Sequence, residues 1–138
     1  MSELSVHTGS IFWAKESGAT KRHLRVVATN PDAPQVVIVP INTWYSQYPK
    51  DCLLETSDIS ELDRTSLPAY AFVCVWTPAQ LHTLLAHRES RVIPPPRGVV
   101  KKAVLNRVLS AVLRHWQELQ PGVYPQMHAM SRSGYQSH

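Results

Sequence analysis

Lys21, Arg22, His23 and Arg25 crowd together just where the apolar run Leu24, Val26 and Val27 begins. Strand entrances are ordinarily marked by Gly, Asn, Asp or Pro, so this basic cluster asks for a reason. A neutral imidazole among cations suits a general base beside a phosphate. The ring takes a proton while ammonium and guanidinium groups stabilise charge on the phosphoryl oxygens. Neighbouring positive charge favours the neutral ring. The same residues also fit a solvated basic turn with an edge histidine, and both readings stand on sequence alone.

Asn42 and Thr43 supply a second polar pair, closing the run VVIVPI at Val36 to Ile41. They suit contacts to a phosphate or a base, and equally the local backbone bonding of a turn. Trp44, Tyr45 and Tyr48 follow in what reads as a loop. Loop aromatics are natural platforms for unpaired bases, worth roughly 1–3 kcal/mol per base, or else they cap the core beneath the loop. His82, His87 and His115 fall on helical segments and read as surface residues. Cys52 and Cys74 read as small buried hydrophobes, without the paired spacing of a zinc site or the number needed for a disulfide framework. No metal site and no cofactor is expected.

The elements that must position these groups change character along the chain. Segments 10–14, 23–29, 36–41, 51–55 and 69–76 read as strands, with 23–29 and 36–41 joined as a hairpin through Asn30-Pro31-Asp32-Ala33-Pro34. Pro40 cannot donate to a ladder and belongs at an edge or bulge. DISE, Asp58 to Glu61, has the form of a capping box on one helical turn. Thr77-Pro78-Ala79-Gln80 is a strong helix start, and Leu81, Leu84 and Leu85 give the helix over 78–88 its apolar face. Val104, Leu105, Val108, Leu109, Val112 and Leu113 recur at helical spacing within 100–119. That stripe is wider than one short helix can cover and predicts contact with a second copy or a partner protein. Strands first and helices last predict an α+β domain, a small antiparallel barrel carrying two C-terminal helices, over residues 1–120. Residues 121–138 read as a flexible tail.

The 138 residues are 43% hydrophobic and 17% charged, which excludes wholesale disorder and leaves room for a real core. No apolar run approaches the roughly 18 residues of a membrane span, and the N-terminus lacks a signal-peptide layout. A cytoplasmic protein with reduced thiols and no membrane contact is expected. The net charge of +4 is compatible with a nucleic-acid partner without requiring one.

From about Gly9 to Leu81 the segments together resemble the MazF/PemK-like toxins, small endoribonucleases on an SH3-like barrel. GSIFWA resembles the family's opening strand, KRHLRVVATNP its second, and VVIVPINTW its third with a Val-Pro-x-Thr ending. DCLLE and SLPAYAFVCVWTPAQL resemble the later strands of divergent members that open strand two with a His-Leu type of motif and carry Ser-x-x-x-Tyr. The resemblance implies a metal-independent endoribonuclease acting on single-stranded RNA through the ribose 2′-OH, an antitoxin protein partner and a homodimer. His23 stands where better-known members have a catalytic Arg, and Asn42 stands at the usual Thr, with Thr43 one residue on. The expected catalytic residues are then His23, Arg25 and Thr43, with Lys21, Arg22, Asn42, Trp44, Tyr45 and Tyr48 binding RNA. The other reading is a non-catalytic SH3-like barrel that binds nucleic acid or protein.

Overall fold

The computed structural model describes residues 6–15 and 21–119. The tail expected over 121–138 lies outside the described residues. Among the described residues six strands form one sheet: β1 (Ile11–Ala14), β2 (His23–Val27), β3 (Val36–Thr43), β4 (Ser66–Pro68), β5 (Cys74–Trp76) and β6 (Arg91–Val92). Its path runs β4-β3-β2-β1-β6, with β5 also on β3, and every pairing between these strands is antiparallel. The sheet is open, and of the expected barrel with helices the structure shows the α+β class and the antiparallel pairing. Two helices, α1 (Pro78–Leu85) and α2 (Lys102–Arg114), complete it.

Strand alternation divides the apolar residues between two cores. Ile11, Leu24, Val26, Val37, Val39 and Ile41 share one core with Val104, Leu105, Val108, Leu109 and Val112 of α2. Phe12, Ala14, Val27, Val36 and Ile38 share the other with Leu81 and Leu85 of α1. The α2 stripe that predicted a second copy is therefore largely buried on this chain's own sheet. α1 starts as its sequence implies. Thr77 Oγ1 accepts from the Gln80 N–H at 3.2 Å, and Gln80 Oε1 accepts from the Thr77 N–H at 2.8 Å.

The β2–β3 hairpin is fastened at its neck. Thr29 Oγ1 accepts from the Val37 N–H at 2.9 Å, and Asn30 Oδ1 accepts from the Asp32 N–H at 2.9 Å. β3 is the backbone of the site because it carries two successive partners on one edge: β4 pairs with its end and β5 with its start. Between them a 3-10 turn, Tyr70–Phe72, interrupts what the sequence reads as a continuous strand over 69–76. Pro40 sits at that interruption, its carbonyl accepting from the Ala69 N–H at 2.8 Å. A strand residue turns its N–H and C=O to the same edge, so the donor that Pro40 lacks falls where the partner strand breaks.

The expected strand 51–55 reduces to one bridge, Leu54 to Ser66. The reason is competition from α2. Arg107 donates to the Leu53 carbonyl at 2.7 Å and to Asp58 at 3.0 Å, and Arg114 pairs with Asp51 at 3.3 Å. DISE forms turns instead of a helical turn, because Asp58 Oδ2 accepts from the preceding Glu55 N–H at 2.9 Å and so caps backwards.

Candidate functional site

One cleft of about 310 Å³ opens at the ends of β2 and β3. The start of β2 brings Lys21, Arg22 and His23 to it, and the end of β3 brings Asn42 and Thr43. Antiparallel register is the cause. Leu24 lies opposite Ile41, so the residues just before Leu24 and just after Ile41 meet at the same strand ends. Lys21 and Arg22 are exposed, while His23, Asn42 and Thr43 are half-buried.

The loop after β3 divides its three aromatics between two tasks. The Trp44 indole N–H donates to the carbonyls of Tyr48 and Pro49 at 3.2 and 3.1 Å, and its ring packs against the α2-side core under the Lys50 ammonium, 5.6 Å away. Trp44 therefore anchors the loop and does not line the cleft. Tyr45 and Tyr48 do line it, 54% and 43% exposed, with ring centroids 6.4 Å apart.

Arg25 is also elsewhere. It stands opposite Phe12 on one side and Pro40 on the other, is only 4% exposed, and is absent from the cleft lining. Arg25 shares a face with His23, but it lies two residues further along β2 and so falls within the sheet's covered width and not at the strand end.

The cleft also contains residues that sequence reasoning missed. Trp13 of β1 forms part of its wall, as do Glu61 and Asp63 from the turn-rich segment before β4. Ser66 joins them because it lies opposite Thr43 in the β3–β4 ladder, its hydroxyl donating to the Arg64 carbonyl at 2.9 Å. Glu61 is paired with Arg97, which offsets its charge. The acidic run around Asp58, Glu61 and Asp63 was visible in the sequence, but nothing local aims it at β2. The cleft thus presents two exposed cations, an imidazole, the neutral polar side chains of Asn42, Thr43 and Ser66, and a pair of carboxylates. Such a set can grip a phosphate through its cations and accept bonds from sugar or base hydroxyl and amino groups through its carboxylates.

Both cysteines stand apart from the cleft. Burial raises Cys52 above the ordinary thiol value, and its Sγ lies 3.8 Å from the Arg107 carbonyl. A buried protonated thiol is a poor nucleophile.

No family model and no curated protein sequence matches the chain. Among solved structures, the fold is similar to a chain in the crystal structure of MazE–MazF from Deinococcus radiodurans. The TM-score is 0.52, and the alignment covers 81% of this chain and 96% of that one. At 11% identity, the similarity is one of fold. Among the described residues, no helix is long and apolar enough to cross a membrane.

Proposed function

We propose that the chain is a metal-independent endoribonuclease of the toxin–antitoxin type, cutting single-stranded RNA at this cleft. The observation that carries the reading is the convergence of Lys21, Arg22 and His23 with Asn42 and Thr43 on one strand-end surface. His23 takes the proton from a ribose 2′-OH, and the 2′ oxygen attacks the adjacent phosphorus. The P–O5′ bond breaks, leaving a 2′,3′-cyclic phosphate and a 5′ oxygen that is protonated by water. Lys21 and Arg22 neutralise the non-bridging oxygens as charge grows in the transition state. Asn42 and Thr43 hold the scissile group in line, and the Tyr45–Tyr48 pair stacks a base. Arg25, buried and outside the cleft lining, supports β2 from within on this reading, and the catalytic role that the resemblance implied for it is not part of the proposal.

On this reading the open sheet is a variant of the SH3-like barrel, and the protein works in the cytoplasm as a homodimer with an antitoxin protein as its partner. The fold similarity to a chain of a MazE–MazF complex supports the partner. A second reading, a barrel that binds RNA or protein without cutting, is favoured by one observation: Glu61 and Asp63 share the cleft with the cations. Incubating the pure chain with mixed single-stranded RNA in EDTA separates the two. Fragments ending in cyclic phosphate, lost in His23→Ala, support the nuclease. RNA retained on the protein but uncut assigns the binding module.

A further inference from the structure

Beside the cleft lies a second, smaller hollow of about 120 Å³, and the two share Asn42 and Tyr48 in their walls. It is mainly apolar, and Tyr48, Pro49, Pro68, Tyr70 and Phe72 are among the residues that line it. Its size is well below the roughly 300–1,000 Å³ of sites that enclose a whole small molecule.

Phe72 is 63% exposed; a single exposed ring is ordinary, and grouping with others is what marks a binding surface. The large hydrophobic residues exposed among the described residues are Tyr45, Tyr48 and Phe72, and all three border either the cleft or this hollow. The aromatic surface therefore continues the cleft instead of being scattered over the molecule.

The platform is held stiffly. Tyr70, two residues before Phe72 in the same 3-10 turn, is buried and stacks on His115 at 4.0 Å. The Phe72 N–H donates to the Ala69 carbonyl at 2.8 Å and closes the turn. With Tyr70 locked inward, the turn presents Phe72 outward. The acidic group at the rim, Glu118, is already engaged with His115 Nδ1 at 2.6 Å. Among the described residues no lysine, arginine or histidine lines the hollow, and its apolar walls suit a base better than a phosphate.

We infer that this hollow is a stacking subsite for a nucleobase next to the nucleotide held in the cleft, with Phe72 and Tyr48 as its walls. The inference rests on the RNA reading of the cleft and extends the site to a strand of more than one nucleotide. Continuity through Tyr48 and Asn42 favours a single strand of nucleic acid over a separate ligand.

The test uses the full chain and fluorescent mixed-sequence single strands carrying 2′-deoxyribose, which lack the attacking hydroxyl. Each strand is prepared intact and with one abasic position at a time. Phe72→Ala is expected to weaken binding of the intact strand about tenfold, within the range for one stacked base. One abasic position should weaken the wild type by a similar factor and leave Phe72→Ala unchanged, and Phe72→Trp should restore the difference. Wild-type protein that binds or cuts RNA while Phe72→Ala behaves identically overturns the subsite alone. A chain that binds neither these strands nor RNA overturns the cleft reading together with it. Phe72→Ala that changes the sedimentation mass, with no abasic coupling, assigns the hollow to a protein contact and also overturns the inference.

Discussion

His115 and Tyr70 stack nearly face to face, their ring centroids 4.0 Å apart and their planes 16° apart. The pair ties the end of α2 to the 3-10 turn that interrupts the β4–β5 edge. Carboxylates hold the imidazole from both sides: Asp51 lies 3.0 Å from Nε2 and Glu118 2.6 Å from Nδ1. His115 reads as a surface residue in the sequence, yet its side chain is only 17% exposed. It is the hub through which α2 fixes the 51–54 segment and, through that segment's bridge to Ser66, one wall of the cleft.

The first prediction concerns acid stability. Burial tends to raise the Asp51 carboxyl, but its hydrogen bond and attraction to His115, and then those to Arg114, outweigh that and leave it below its ordinary value. A carboxyl depressed in the folded state contributes stability that is fully present above its unfolded value, 3.8, and is lost as pH falls through the lower folded value. Urea unfolding from pH 5 to pH 3 should therefore be steeper in pH for wild type than for Asp51→Asn. Because Asp51 remains partly open to solvent, the difference is small. Parallel profiles would remove Asp51 from the acid response.

The Tyr70 hydroxyl gives a sharper contrast. Burial first, and then the nearby Asp51 charge, push it well above the ordinary phenol value, and its oxygen has no hydrogen-bond partner among the described residues. Removing a buried polar group that lacks a partner costs little, so Tyr70→Phe should leave the unfolding midpoint nearly unchanged or raise it. Tyr70→Ala should cost about 3–5 kcal/mol, as for other large buried rings. A marked loss in Tyr70→Phe would show that the hydroxyl is bonded in solution.

For catalysis, His23→Ala should lower RNA cleavage at least about a hundredfold, the lower end of general acid–base contributions. Cys52→Ser should cut normally, since the buried thiol lies outside the cleft. Circular dichroism of both variants keeps folding separate from chemistry. Equal rates for His23→Ala and wild type would exclude His23 as the base.

Lys21 and Arg22 should act chiefly through phosphate. Replacing either by Ala is expected to weaken single-stranded RNA binding across sequences and to flatten the plot of log affinity against log salt by about 0.7 per cation. Arg25→Met is the control, because Arg25 is buried away from the cleft. Its RNA salt slope should match wild type even where its stability falls. A slope change in Arg25→Met alone would reverse the assignment.

Assembly is measurable by light scattering. A homodimer gives twice the 15.6 kDa of one chain. With α2 packed on its own sheet, the contact must come from another surface, so Leu113→Lys, on the half-buried margin of α2, should leave the mass unchanged. A monomer at tens of micromolar would end the dimer proposal and leave the antitoxin partner as the expected assembly.

Local features of this protein were legible in the residue order. The β2–β3 hairpin, the Thr77 capping box and the α2 stripe each depend on side chains within a turn or two of one another. Backbone geometry converts such patterns directly into structure. Lys21, Arg22, His23, Asn42 and Thr43 could be singled out for the same reason, as polar groups at the two ends of adjoining apolar runs. What they face was decided only by long-range pairing. Strand register sends Arg25 into the sheet and brings Ser66 opposite Thr43. Hydrogen bonds from Arg107 and ion pairing by Arg114 pull 51–58 out of the sheet, and the segment leading into β4 carries Glu61 and Asp63 to the cleft. The sheet, by covering α2, removes the surplus apolar face that the helix shows in isolation. Each of these depends on which distant groups compete for the same backbone donor, carboxylate or apolar surface. No pattern confined to a short window records the outcome of that competition.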